Sequence, residues 1–204
     1  MANTTIAPEF EPFPHRRRWT RDECYRLAEM EFLTGRYELI DGEILSLMGQ
    51  NPPHRMTLML IAGWLVSLFG FYAVQTQGPI SILGEEGETN EPEPDIIVTP
   101  EPTTAYRTRH PEPQELLLLV EVSDTTLWFD LNTKARLYAR NGVQEYWVMD
   151  INGRQLVRHR NPSSEGYADV VTLTGEQTVS LMARPEATVR ISELLPPVEN
   201  EVSL

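Results

Sequence analysis

The period at which apolar residues recur changes repeatedly along this chain, and each period predicts an element. In "WTRDECYRLAEME" (19–31) a Thr able to cap precedes two acids, and Cys24, Leu27, Ala28 and Phe32 fall near helical spacing, so a short first helix is expected. "YELIDGEILSL" (37–47) alternates apolar and polar around Asp41-Gly42, the signal of a hairpin that would open the sheet. "HRMTLMLIAGWLVSLFGF" (54–71) is apolar over much of a helical circumference and follows Asn51-Pro52-Pro53, which predicts a well-buried helix. "YAVQTQGPISIL" (72–83) reads as two short strands joined near Gly78-Pro79, and the acidic 84–94 as a solvated loop before the strand "DIIVT" (95–99). A proline-rich connection between Pro100 and Pro113 has no helical pattern and carries Arg107, Arg109 and His110. "ELLLLVEVS" (115–123) is continuously apolar, as expected of a central strand covered on both faces. A helical stripe at Leu131, Ala135, Leu137 and Tyr138 starts at Asp130 and stops at Asn141-Gly142, before the buried strand "EYWVMD" (145–150). Strand, helix and strand in this order form a right-handed parallel unit. "RQLVRHRNP" (154–162) and "YADVVTLT" (167–174) predict an antiparallel hairpin, and "ISELL" (191–195) a final helical turn. The class is α/β.

Length and composition narrow this picture. The 204 residues fit one domain with tails: an arm over 1–18, a domain over 19–195 and a tail over 196–204. With 41% hydrophobic and 23% charged residues, the chain is of ordinary globular type. Cys24 is the single cysteine, so no intrachain disulfide forms, and a reducing, cytoplasmic setting is the simpler expectation. Residues 1–20 contain no apolar signal-peptide region, and no apolar run reaches the ~20 residues that span a bilayer, so neither secretion nor membrane insertion is expected. The net charge of -13 argues against a broad electrostatic face for nucleic acid. The charge is uneven, however. Acids crowd 85–101, whereas Arg16, Arg17, Arg18 and Arg21, and later Lys134 to Arg160, form basic stretches that leave room for a local basic surface. Lys134 is the one lysine among 17 basic residues, which fits either an arginine-biased surface or a chemical position that arginine cannot fill.

Three residues carry candidate chemistry. Glu121 interrupts the apolar run 116–122, where an unpaired carboxylate costs several kcal/mol by order of magnitude, so it needs a partner. A nearby arginine or a metal ion fills that role. Asp95 opens the preceding strand, from which strand pairing can bring it beside Glu121. Two carboxylates that converge without a cation repel each other, and a hard divalent ion removes that penalty. Lys134, on the helix that follows, either points back to the same sheet edge and steadies charge developing on phosphorus, or is a solvated residue of an amphipathic helix.

Together "YELIDGEI", "EPDIIV" and "LLLLVEVSDTTLWFDLNTKARLYARNGVQEYWVMD" resemble the Uma2 family, a branch of the PD-(D/E)XK nuclease superfamily, over residues 20–155. The resemblance implies a restriction endonuclease-like, three-layer α/β/α fold with a mixed central sheet. It implies metal binding by Asp95, Glu121 and Val122, with Mg²⁺ (Mn²⁺ as a substitute) as cofactor and Lys134 as the catalytic lysine. Ser123 stands where the (D/E)XK motif places lysine, which looks like migration of that lysine onto the next helix at Lys134. Glu38 in "YELIDGEI" resembles the superfamily's early carboxylate and joins the candidate catalytic set, with Glu43 on the other arm of the hairpin as its competitor. His54, Arg107 and Arg109 are candidate substrate contacts, while Asp130 is placed to cap the helix of Lys134. Tyr138, Tyr146 and Trp147 fit core packing better than base stacking. The expected activity is endonucleolytic hydrolysis of nucleic acid, with DNA foremost, by a metal-activated water in a homodimer. The competing expectation is a catalytically idle dimeric nuclease-fold binding module, in keeping with the acidic charge and Ser123.

Overall fold

The computed structural model describes residues 17–47, 49–100 and 102–197. Most of the expected N-terminal arm (residues 1–16) and the tail from 198 lie outside the described residues. Helix α1 (Arg21–Glu29) begins with a capping box in which Thr20 accepts from the Glu23 amide and Glu23 accepts from the Thr20 amide. Cys24 is buried, but Phe32 lies beyond the helix and is 76% exposed, so the apolar stripe is shorter than its spacing suggested.

Strands β1 (Tyr37–Ile40) and β2 (Glu43–Ser46) form the expected hairpin, and Asp41 and Gly42 both take positive φ at its turn. This hairpin does not open the main sheet. It is a separate two-stranded unit, tied to the chain through the Leu39–Glu91 bridge.

The main sheet has six strands in sequential order: β3 (Val74–Thr76), β4 (Ile96–Val98), β5 (Leu118–Ser123), β6 (Glu145–Asp150), β7 (Gln155–Ser163) and β8 (Gly166–Thr174). Only the β5–β6 pair is parallel, so the sheet is mixed. Every residue of β5 and β6 is buried, as expected of central strands covered on both faces. The second strand expected near 79–82 is irregular chain, although Ile80 and Ile82 reach the core. The acidic segment that precedes β4 is not wholly solvated either, since Asn90 and Glu91 are buried.

Helix α2 (Pro52–Phe69) packs on one face of the sheet through Ile61 and Leu65, against Val98, Val120 and Trp147. It is not enveloped, as its composition suggested: Thr57, Ile61 and Leu65 form the buried stripe, while Met56 and Met59 are exposed on the other side. The same face of the sheet receives a hairpin that the sequence reading missed, β9 (Thr178–Leu181) with β10 (Arg184–Arg190), and the closing 3₁₀ turn Ile191–Leu194. On the other face α3 (Leu127–Phe129), a π-helical turn (Asp130–Lys134) and α4 (Ala135–Arg140) run as one continuous helix. Ala135 and Tyr138 pack there on Leu119, Tyr146 and Val148. The result is an α/β/α sandwich. Among the described residues, no helix is long and apolar enough to cross a membrane.

The basic stretches are largely neutralised within the chain. Arg17 pairs with Glu23, Arg140 with Glu86, Arg158 with Asp169, and Arg160 with the fully buried Glu145.

Candidate active site

Strand register builds the site. In the antiparallel β4–β5 pair Ile96 faces Val120 and Ile97 faces Leu119, so continuing the register by one residue sets Asp95 opposite Glu121. Side chains alternate along a strand, so Asp95 and Glu121 share with Ile97 and Leu119 the face covered by α4. Asp95 is fixed by the β5 backbone, its Oδ2 accepting the Val122 amide at 2.9 Å.

The long helix delivers the cation. Lys134 is 4% exposed, and its Nζ lies 3.0 Å from Glu121 Oε1, 2.9 Å from Glu38 Oε2 and 4.0 Å from Asp130 Oδ1. Within the chain, Glu121 pairs with this lysine, where the sequence suggested an arginine or a metal ion. Tyr138 donates to the same Glu121 oxygen at 2.8 Å. Asp130, Lys134 and Tyr138 follow one another at intervals of four along a single helix face. Asp130 does not cap the helix. It sits buried inside the π turn, where its Oδ2 accepts from the Ser123 and Thr126 hydroxyls, both at 2.6 Å. Ser123 therefore holds Asp130, while an ammonium from the next helix reaches Glu121. The hairpin selects Glu38 over Glu43: Glu38 is buried and accepts the Glu93 amide at 3.3 Å, whereas Glu43 is exposed.

The first turn of α2 closes the other side. Asn51 caps the helix by accepting the His54 amide, which helps bring His54 Nε2 to 3.4 Å from Asp95 Oδ2. Burial pulls the His54 pKa down, but the Asp95 carboxylate, the Val122 backbone and Asp124 outweigh it and hold it above the ordinary value. Glu38, His54, Asp95, Glu121, Asp130 and Lys134 border a cavity of about 440 Å³ that also reaches Asp124, Thr126 and Phe129. Arg107 and Arg109, the other candidate substrate contacts, lie elsewhere. They line a separate depression beside Arg21 and Tyr25, and Arg109 is forked onto Glu115 at 2.6 Å.

Comparison with known proteins matches residues 21–192 to the model of Uma2, described as "Putative restriction endonuclease". The chain belongs to the Uma2 family. A solved structure from Anabaena variabilis ATCC 29413, described as a "putative nuclease belonging to DUF820", shares the fold with a TM-score of 0.60. The likeness covers 82% of this Uma2 chain and 96% of that one, at 13% sequence identity. No curated protein matches the sequence.

The Uma2 site is rich in carboxylates. Burial pushes Glu121 well above the usual carboxylate range; the Lys134 ammonium opposes this, and Asp130, Asp95 and Glu38 add to it. Burial works against the charge of Lys134, but Glu121, Glu38 and Asp130 overcome it and hold the ammonium above its ordinary range. Among the described residues, no three His, Cys, Asp or Glu side chains form a ready-made metal cage. The donors present still fit a hard cation, because Mg²⁺ takes one or two carboxylates and completes its shell with carbonyl, water and phosphate oxygens. Asp95, Glu121 and the Val122 carbonyl make such a set at the cavity wall. The roles of Tyr138, Ser123 and Asp130 were missed in the sequence reading. The four-residue spacing of Asp130, Lys134 and Tyr138 was the available signal.

Proposed function

We propose that this Uma2 protein is a Mg²⁺-dependent endonuclease that hydrolyses phosphodiester bonds of nucleic acid, DNA foremost, with Mn²⁺ able to replace Mg²⁺. The observation that carries this reading is the pairing of Asp95 with Glu121 by strand register, with a buried ammonium 3.0 Å from Glu121. Asp95, Glu121 and the Val122 carbonyl would hold the ion. When bound, Mg²⁺ draws charge from a phosphate oxygen and makes a water more acidic.

The chain's own groups supply the remainder. Lys134 is held charged, so it acts as a fixed positive group for the negative charge that develops as water adds to phosphorus and the ester oxygen leaves, not as a proton acceptor. Glu38, 2.9 Å from the same ammonium, orients Lys134 together with Glu121. His54 rests against Asp95 and, when protonated, offers a donor to a phosphate oxygen. Cutting both strands of a duplex calls for two such sites, which a homodimer supplies; sedimentation equilibrium decides its presence.

Calorimetric titration of Mg²⁺ or Mn²⁺ into the native protein and Glu121→Ala, followed by incubation of both with plasmid and single-stranded DNA, tests the proposal. Saturable binding and metal-dependent cleavage, both lost in the variant, are expected. Metal binding without cleavage of either substrate would instead favour the idle binding module.

A further inference from the structure

The cavity does not end at the carboxylates. Past Arg36, Leu47, Gly49 and Gln50 it continues into a second depression, whose walls add Arg55 and Gln77. Gln50 and Arg55 are in turn walls of a third depression, floored by the largely apolar Met56, Met59 and Leu60 of α2. The three together make one groove that runs from Asp95 and Glu121, past two guanidinium groups, onto an exposed methionine shelf. Met56 and Met59 are 43% and 67% exposed, on the side of α2 opposite its buried stripe.

The two arginines differ in state. Arg36 is held by Glu93, whereas the Arg55 guanidinium has no ion pair among the described residues. Arg55 follows His54, whose ring touches Asp95, so the turn that braces the carboxylate also presents a free cation one step along the groove. On a chain of net charge -13, an unpaired arginine beside the candidate site is well placed to meet an anion.

We infer that this groove holds the unpaired strand flanking the scissile phosphate: Arg55 contacts the adjacent phosphate, and a splayed base rests on Met56 and Met59. The inference rests on the nuclease reading and deepens it to a substrate with a single-stranded flank. Charge and surface type both favour that occupant. Duplex bases are stacked and offer no faces to an apolar shelf, whereas unpaired bases do, and flexible, polarisable methionine accepts any of them. Few phosphate contacts then suffice, which suits an acidic protein better than an extended basic face would.

The test is fluorescence anisotropy with a labelled single-stranded DNA oligonucleotide and a blunt duplex of the same sequence, across a range of salt, in EDTA and with Ca²⁺. Native protein is compared with Arg55→Gln and Met59→Ser, both exposed positions, after circular dichroism confirms that each variant is folded. Native protein should bind the single strand more tightly than the duplex. Arg55→Gln should weaken binding and reduce the slope of log K against log salt by about 0.7, the loss of one single-strand phosphate contact. Met59→Ser should weaken binding with the slope unchanged. Equal affinity for the two DNAs, or an unchanged slope in Arg55→Gln, overturns the inference and leaves the nuclease reading standing. If native protein binds neither DNA under either condition, the nuclease reading falls as well. If Met59→Ser leaves DNA binding intact and instead halves the mass in sedimentation, the shelf is an interface between copies and the inference is wrong.

Discussion

Replacing Lys134 by methionine removes one charge and leaves three carboxylates facing one another. Its ammonium lies 2.9 Å from Glu38, 3.0 Å from Glu121 and 4.0 Å from Asp130, and all four residues are at most 4% exposed. Breaking a buried pair by removing one partner costs about 3–5 kcal/mol, because the partner left behind is charged and out of water. Removing one carboxylate instead is milder. In Glu38→Gln, Lys134 still has Glu121 and Asp130, so the loss is closer to a charge-assisted hydrogen bond, about 1.5–3 kcal/mol. Urea denaturation should therefore place Lys134→Met below Glu38→Gln in midpoint at an unchanged m-value. In a thermal scan, the lysine variant should melt roughly 6–20 °C below the native protein, from about 2–4 °C per kcal/mol for a chain of this size. The double variant Lys134→Met/Glu121→Gln should recover part of the loss, since it removes one of the stranded charges. Equal losses in Lys134→Met and Glu38→Gln, or no recovery in the double variant, would refute the view of Lys134 as the shared counter-ion of the site.

Three further outcomes follow from the same structure. Tyr138→Phe keeps the ring but removes the donor to Glu121, so it should lose about 1.5–3 kcal/mol in urea denaturation and, on the nuclease reading, change Mg²⁺ affinity by calorimetry. Glu145→Ala strands Arg160, frees the Trp147 indole and releases the Met182 amide, and should cost about 3–5 kcal/mol in the same assay. Burial holds His159, between Tyr146 and Tyr167, below its ordinary pKa, so the unfolded chain takes up a proton that the folded one resists. Its contribution is complete above about pH 6.5 and declines as pH falls toward the folded value. The urea midpoint of His159→Phe should accordingly fall less than that of the native protein between pH 7.5 and 5.5.

How much of this was legible depended on whether local pattern or tertiary contact decided the outcome. Strands β5 and β6, the Asp41-Gly42 hairpin and the Thr20 cap were written in short-range chemistry, and they form as the pattern indicates. Asp95, Glu121 and Lys134 were visible because a carboxylate in an apolar strand and a solitary lysine both stand out against their surroundings. The exposed side of α2 was not visible, because an all-round apolar helix reads as buried whether or not a partner covers it. Nor was the role of Asp130, because an acid near a helix start looks like a cap. Only the extra residue of the π turn, with Ser123 beneath it, turns that side chain into the core. The β9–β10 hairpin escaped notice because its pairing contains a register shift between Arg184 and Thr188 that breaks the simple alternation.

The single lysine also gives the molecule an internal timer. Acylating reagents attack only uncharged amines that they can reach, and the one ε-amine of this sequence is held protonated and shielded between Glu38 and Glu121. Covalent tagging of Lys134 can proceed only when its ammonium parts from these carboxylates and gives up its proton. The rate at which that peptide gains mass then measures how often the centre opens, with no engineered label and no competing side-chain amine.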